Sequence, residues 1–416
     1  MKHIIIGNGP AGVAAAETLR RLQSAAEIAL IGDEPGPPYA RMAIPYFLQG
    51  RIDAHGTHLR KTHDHFTRLG IHLIQGRVTC VDSAVKQIEF ASGERLAYDK
   101  LLIASGARPL RPDVPGIDLP QVHTCWTLED ARAIAALARP GARVVQLGAG
   151  FIGCIILEAL VARGVTLTVV EMGDRMVPRM MTPLAGEMIR RWVEQKGVTV
   201  HLNTTVTAIE PDGDALRVKL GAGETAPREM SADLVICAAG VSPNVGFLAG
   251  SGVEIGRGVR VDRGMRTSVA DIFAAGDVTE APGFHSAMPQ LNAIQPNAVE
   301  QGRIAALNMA GANAELPGSL AINVLDTLGL ISTSFGDWQG RGDGVELVDA
   351  ERFRYLSLQF DDDVLIGATS IGWTDHVGAL RGLIQSRTRL GAWKARLEAD
   401  PTQFMAAYLA CMQGTR

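Results

Sequence analysis

The sequence predicts an α/β chain with two dinucleotide-binding halves and a smaller α+β unit after them. Three observations carry this. Gly7-Asn8-Gly9-Pro10-Ala11-Gly12 directly follows the apolar run His3-Ile4-Ile5-Ile6. Gly148-Ala149-Gly150-Phe151-Ile152-Gly153 directly follows Val144-Val145-Gln146-Leu147. From about Ala321 onward the pattern changes to short strands. One G-x-G-x-x-G is a weak signal, because glycines cluster in many loops. Two copies in strand–turn–helix context point to a chain that holds two dinucleotides at once. The usual reason to hold two is to pass a hydride between them.

Within each fingerprint the glycines have separate tasks. Gly7 and Gly148 make the tight turn, Gly9 and Gly150 let the backbone approach a pyrophosphate, and Gly12 and Gly153 allow close packing of helix on strand. The helices that begin at Pro10-Ala11 and Phe151-Ile152 offer unpaired N–H groups and a partial positive charge to the phosphates.

The elements follow in order. A helix over about Ala11 to Gln23 and a strand from Glu27 to Ile31, ending at Gly32-Asp33-Glu34, complete the first βαβ unit. A strand from Lys100 to Ile103 leads into Ala104-Ser105-Gly106. Two prolines and a glycine in Arg111-Pro112-Asp113-Val114-Pro115-Gly116 mark a linker. The second βαβ unit runs through a strand from Thr166 to Val170, and a strand from Asp233 to Ala238 leads into Gly240. The chain then returns to Asp271-Ile272-Phe273-Ala274-Ala275-Gly276-Asp277. A hairpin turn at Asp361-Asp362-Asp363 and a helix over about Val377 to Arg389 belong to the last unit. The expected domains are residues 1–115 with 243–319, residues 116–242, and residues 320–416.

A ribose-binding acid is expected roughly 20 residues beyond each fingerprint. In the second unit it is Glu171, whose carboxylate repels a 2′-phosphate and so favours NADH over NADPH. In the first unit the strand ends in Gly32, and Asp33 or Glu34 must serve.

Composition excludes other classes. The chain has 416 residues, 47% hydrophobic and 20% charged, with a net charge of -4. That lacks the basic footprint of a nucleic-acid binder. The most apolar stretch, Val144 to Val161, is broken by Gln146 and Glu158 and contains the second phosphate loop, so no membrane span is expected. Cys80, Cys125, Cys154, Cys237 and Cys411 form no C-x-x-C, which argues against a disulfide framework or an iron-sulfur ligand set. The first strand begins at Lys2, leaving no room for a leader, and a cytoplasmic protein is expected. Either a homo- or a hetero-oligomer is compatible with this composition.

Three polar clusters have competing readings. His55, His58, His63 and His65 lie beside Arg60 and Lys61 without ligand spacing, so surface or packing roles are expected and no metal site. Asp361 to Asp363 read as a solvated hairpin tip before they read as a calcium loop. Arg381, Arg387, Arg389, Lys394 and Arg396 lie between Val377 and Leu397 without one acid, either as a solvated helix face or as a docking surface for an acidic electron carrier.

Over residues 3–310 the chain resembles the two-dinucleotide-fold flavoprotein reductases of the pyridine nucleotide-disulfide oxidoreductase superfamily. Ile272-Phe273-Ala274-Ala275-Gly276-Asp277-Val278 is similar to the superfamily's second FAD motif, which implies that Gly276 and Asp277 bind the ribityl and pyrophosphate part of FAD. Ala104-Ser105-Gly106 resembles the hinge between FAD and NAD domains. Gln295-Pro296-Asn297 resembles the helix start facing the flavin ring, placing Pro296 and Asn297 in the FAD site. The resemblance makes the first cradle the FAD site and the second, with Gly240, the NAD(H) site. Arg41 is either a cofactor contact or a solvated loop residue.

The departures narrow the branch. Disulfide reductases carry a cysteine pair after the first βαβ unit, yet Pro38 to Tyr46 contains none, and the first cysteine is Cys80. A thiol relay is therefore excluded. What remains is similar to the ferredoxin-reductase and nitrite-reductase branch. The lysine and glutamate that many members pair near the flavin are replaced here by Tyr46 and Ile155, implying an apolar flavin face. The expected function is an FAD-dependent NAD(H) oxidoreductase exchanging electrons with an iron-sulfur partner, alone or as the flavin subunit of an aldehyde- or 2-oxoacid-oxidising complex. The flavin carries the chemistry, so no catalytic side chain is assigned. The alternatives are a stand-alone NADH oxidase and an NADH-sensing redox interaction protein.

Overall fold

Ile4 and Ile5 are fully buried, as a strand covered on both faces of a parallel sheet must be. Their strand, Lys2–Ile6, is the centre of a five-stranded parallel sheet ordered Ile272–Ala274, Lys100–Ile103, Lys2–Ile6, Glu27–Gly32, Ile71–Gln75. The computed structural model describes residues 1–221, 228–286 and 288–413. This sheet belongs to a compact unit made of Met1–Arg108 and Val241–Leu320.

The helix Pro10–Leu22 starts one residue earlier than its apolar pattern implies, because a proline preset for helix occupies its first turn. It buries Val13, Ala16 and Leu19. Each large aliphatic side chain taken from water contributes about 1.5–3 kcal/mol before entropy is counted. Helix Gln295–Met309 crosses it in backbone contact: a Cβ on Gly302 would lie 2.2 Å from the Ala11 carbonyl oxygen.

The second unit joins Pro109–Gly240 to Ala321–Arg416. Its parallel sheet repeats the arrangement, ordered Thr199–His201, Thr166–Val170, Arg143–Leu147, Leu234–Cys237, Val122–Thr124. Helix Phe151–Ala162 follows the second fingerprint and is apolar nearly all round, in keeping with its burial.

The chain after Ala321 forms an antiparallel five-stranded sheet ordered Ile322–Thr327, Leu330–Gly336, Val364–Ile371, Arg354–Asp361, Gly344–Asp349. Its hairpin turns at Asp362, whose φ of 57° suits an aspartate. Helix Val377–Ser386 stops short of Arg389 because Arg387 takes a left-handed conformation, φ 49°. The architecture is thus the α/β one expected, two nucleotide-binding sheets with an α+β C-terminal part. Among the described residues no helix is long and apolar enough to cross a membrane.

Candidate functional site

The two fingerprints fold into near-identical cradles. Gly7, at φ +110°, presses its α-carbon so close to the next strand that a Cβ would sit 2.0 Å from the Ala104 carbonyl oxygen. A Cβ on Gly12 would lie 1.9 Å from the Gly7 carbonyl oxygen. Gly9 differs: its backbone is extended, and among the described residues nothing lies within 4 Å of where its Cβ would be. It also precedes a helix whose first N–H groups receive no side-chain cap from it. Open space, uncapped N–H groups and a helix N-terminus together make a cradle suited to a phosphate. Pro10 and Ala11 are the first residues of that helix.

The second unit repeats each feature. Gly148 (φ +97°) would place a Cβ 2.5 Å from the Ala238 carbonyl oxygen, and Gly153 would place one 2.5 Å from the Gly148 carbonyl oxygen. Gly150 again faces open space at an uncapped helix start, with Phe151 and Ile152 partly exposed beside it. Gly240 holds φ +114° after the neighbouring strand. Both cradles fit the pyrophosphate of a dinucleotide.

Strand register identifies the acid slots. Ile6 pairs with Ile31 and Leu147 with Val170, so Gly32 and Glu171 stand at the same position in their units. Glu171 is 7% exposed. One carboxylate oxygen accepts the Ala149 N–H at 2.7 Å and the other accepts the Gly173 N–H at 2.7 Å. Two lone-pair positions are left for further donors. Gly32 has no side chain to offer, and the Asn8 amide fills its space, 2.2 Å from where a Cβ would be.

Beyond that glycine, Asp33 is exposed. Glu34 accepts from the Tyr39 hydroxyl and from the Arg41 guanidinium, both at 2.6 Å. Of the two candidates, Glu34 thus binds Arg41 and orients it. Tyr39 is a member of this group that sequence reasoning missed.

Asp277 is the sharpest indication of a ligand in the first unit. It is partly buried after Gly276, φ +84°, and its carboxylate makes no hydrogen bond or ion pair among the described residues. Burial raises its pKa, and the Arg41 charge counters that rise. An orphaned acid beside a cradle fits a ligand rich in hydroxyl donors. Gln301, not anticipated from the sequence, fixes the turn: its side-chain oxygen accepts the Gly276 N–H at 2.8 Å and the Thr279 hydroxyl at 3.0 Å.

The remaining expected positions have varied surroundings. Ala104 packs its carbonyl on Gly7, and the Ser105 hydroxyl donates to the Asn244 carbonyl at 2.9 Å, beside Gly106 at φ +66°. Pro296 opens helix Gln295–Met309. The Asn297 amide donates to the Ser319 hydroxyl and the Leu320 carbonyl, both at 3.1 Å, so its side chain braces the chain. Tyr46 is half-exposed in the first unit, and Ile155 is half-buried on the second phosphate helix.

The second cradle has a clamp that sequence periodicity does not announce. Val177, 1% exposed, sits at φ +50° and donates its N–H to the Ala149 carbonyl oxygen at 2.8 Å. A left-handed conformation costs a β-branched residue about 1–2 kcal/mol, and the following Pro178 narrows its freedom further. The Cys154 thiol also points at Ala149 O, 3.6 Å away, and burial pushes its pKa up to about 12. That thiol is held protonated and unreactive.

The long basic run is not an unpaired face. Arg389 reaches Asp362 at 3.3 Å and Asp363 at 3.1 Å, and Lys394 reaches Asp343 at 2.7 Å. Arg381 donates to Gln385, and Arg396 stacks over Trp393 at 4.7 Å. The acids that the run lacks locally arrive from the sheet. The same pairing, with Arg341 on Asp361 at 2.6 Å, accounts for the aspartate tip without a cation. His65 and Arg60 both bind Glu17, and His55 meets the Lys61 carbonyl. Among the described residues no three metal-ligating side chains converge.

Known proteins share this arrangement. Residues 1–302 match the family described as pyridine nucleotide-disulphide oxidoreductase. The NADH-dependent phenylglyoxylate dehydrogenase subunit epsilon of Aromatoleum evansii is 30% identical over 407 residues, covering 96% of this chain and 95% of the relative. The biphenyl dioxygenase system ferredoxin–NAD(+) reductase component of Paraburkholderia xenovorans is 31% identical, covering 93% and 94%. The crystal structure of the ferredoxin reductase for the CYP199A2 system of Rhodopseudomonas palustris superposes with a TM-score of 0.83 at 28% identity, covering 90% and 92%. Two cradles on two parallel sheets, matched along nearly the whole chain, make this protein a member of the pyridine nucleotide-disulphide oxidoreductase family.

Proposed function

We propose that this chain is an FAD-dependent NAD(H) oxidoreductase that exchanges electrons with a separate iron-sulfur protein or subunit. The observation that carries the proposal is the pair of cradles in a chain whose cysteines offer neither a thiol relay nor a cluster. FAD, when bound, supplies the exchange between two-electron hydride chemistry and one-electron carriers. Everything else is asked of the protein.

In this reading Gly7, Gly9 and Gly12 shape the FAD pyrophosphate cradle, with Pro10 and Ala11 leading its helix. Asp277 accepts hydroxyl hydrogen bonds, and Arg41, steadied by Glu34 and Tyr39, supplies positive charge near it. Gly148, Gly150 and Gly153 shape the NAD(H) cradle, where Glu171 orients the ribose and disfavours a 2′-phosphate. The buried thiols Cys125, Cys154 and Cys237 stay out of the chemistry, since burial raises all three pKa values. Cys80, Cys125, Cys154 and Cys237 are free thiols, which suits the cytoplasmic setting proposed here.

A second reading has its own support. The Aromatoleum evansii relative is a subunit of an enzyme named for phenylglyoxylate, a 2-oxoacid, and this chain matches 95% of its length. Membership of a 2-oxoacid-oxidising complex is therefore the specific form of partner to test first. Native purification without tags, followed by flavin and iron analysis, distinguishes the two arrangements. Co-elution with iron-sulfur subunits at fixed stoichiometry supports the complex. A flavoprotein that elutes alone yet reduces a small ferredoxin supports the freestanding reductase. A chain that binds no FAD overturns both.

A further inference from the structure

The stretch from Glu171 to Thr182 connects the second cradle to the C-terminal sheet through successive hydrogen bonds. At its start Glu171 holds the Ala149 and Gly173 N–H groups. Midway, Val177 donates to the Ala149 carbonyl, while its own carbonyl receives the N–H groups of Met180 at 3.0 Å and Met181 at 3.1 Å. Met176, Val177, Met180 and Met181 are at most 2% exposed. At its end the Thr182 hydroxyl accepts the Ala185 N–H at 3.3 Å and donates to the Tyr355 phenol at 3.0 Å. That phenol, fully buried in the C-terminal sheet, donates in turn to Glu346.

Ala149 is therefore gripped on both polar atoms, and one grip depends on a strained turn. A left-handed valine before a proline persists only where its surroundings hold it at both ends. The inner end is held by Ala149 itself. The outer end is held by the Met180 and Met181 N–H groups, and the next residue, Thr182, is anchored on Tyr355.

We infer that Tyr355 is a positioning residue for the second nucleotide site: acting through Thr182 and the Val177 turn, it keeps Ala149 in place within the phosphate loop. The C-terminal sheet thereby sets the affinity for NAD(H). This rests on reading that loop as the NAD(H) cradle. The Tyr355 phenol is bonded to Thr182 and Glu346, so its effect is exerted on the geometry of the loop.

The test uses the full chain with Tyr355→Phe and Thr182→Ala, and with Thr182→Ser, which retains a hydroxyl for both bonds. Two readouts are independent of turnover: hydrogen exchange at the Val177 amide in the nucleotide-free chain, and NADH affinity by fluorescence titration. Tyr355→Phe and Thr182→Ala should speed Val177 exchange and raise the NADH Kd about three- to fivefold, the scale of one lost hydrogen bond. Bound FAD should not change, and Thr182→Ser should match the wild type. If the wild type binds NADH and both disrupting variants bind it equally well, or Val177 exchange is unaltered, the inference is overturned. A wild-type chain that takes up no NADH instead overturns the assignment of the cradle, and this inference with it.

Discussion

Gly32 and Glu171 are register equivalents: each directly follows the residue paired with the end of its fingerprint strand, Ile31 with Ile6 and Val170 with Leu147. One slot holds a buried carboxylate and the other holds the amide of Asn8. The two cradles thus share a backbone and differ in the side chain that fills this slot. Glu171 is also a structural acceptor, since both its oxygens already receive backbone N–H groups.

Glu171→Ala should therefore have two effects. Discrimination between NADH and NADPH should narrow, because the repelling charge is gone. Stability should fall by about 1.5–3 kcal/mol, because the Ala149 and Gly173 N–H groups lose a charged acceptor. Denaturant unfolding and anaerobic flavin reduction by each nucleotide measure the two separately. An unchanged unfolding midpoint would mean that the carboxylate is not holding the loop.

Gly9→Ala and Gly150→Ala should separate binding from folding. Both glycines have extended backbones with open space at the Cβ position, so alanine fits the free chain at a cost below about 1 kcal/mol. The added methyl occupies the cradle, and each variant should lose about tenfold or more in affinity for its own dinucleotide. Gly7→Ala and Gly148→Ala, which meet carbonyl oxygens at 2.0 and 2.5 Å, should instead lose on the order of 3 kcal/mol of stability. Equal flavin content in Gly9→Ala and the wild type would remove the first cradle from the FAD site.

FAD retention should depend on pH through Asp277. Burial raises the pKa of this carboxyl in the ligand-free chain, so a proton is held to higher pH than for an ordinary aspartate. Below the raised pKa the neutral acid is a poorer hydroxyl acceptor, and FAD affinity should fall as the solution is acidified through that window. For the ligand-free chain the sign is opposite. Its raised pKa contributes stability that is present below the unfolded-state pKa and is lost as pH rises through the folded one. Asp277→Asn should lower FAD affinity at neutral pH and flatten its acid dependence. An unaltered acid profile in that variant assigns the dependence to another group.

The fingerprints and the Ala274-Ala275-Gly276-Asp277 motif were legible in the sequence because each is local: a strand, a turn and the residues that must be small. The rest depended on register and on distant partners. That Glu34, and not Asp33, accepts from Tyr39 and Arg41 depends on a loop that folds back on itself, which no local pattern announces. Arg389 and Lys394 read as part of an acid-free run until the sheet brought Asp343, Asp362 and Asp363 to them. Val177 gives no sequence signal at all, since nothing in Met176-Val177-Pro178 asks for a left-handed valine.

Thiol chemistry should be dispensable. Cys80 is exposed, whereas burial raises the pKa of Cys125, Cys154 and Cys237. Alkylation of the native protein should modify Cys80 first and leave NADH-dependent acceptor reduction within about twofold of the untreated rate. Loss of activity in step with Cys80 labelling would show that a thiol participates after all.

Electrons are expected to pass from NADH to FAD and to leave through an iron-sulfur protein. Anaerobic stopped flow measures it most directly: the FAD-loaded chain is mixed with NADH, then with an oxidised ferredoxin, while flavin and cluster absorbance are followed separately. NADH should bleach the flavin, the flavin band should recover as the cluster bleaches, and a parallel mix with aerated buffer in place of ferredoxin should reoxidise the flavin slowly. Rapid reoxidation by oxygen with no transfer to any iron-sulfur acceptor would contradict this route and leave a self-contained NADH oxidase.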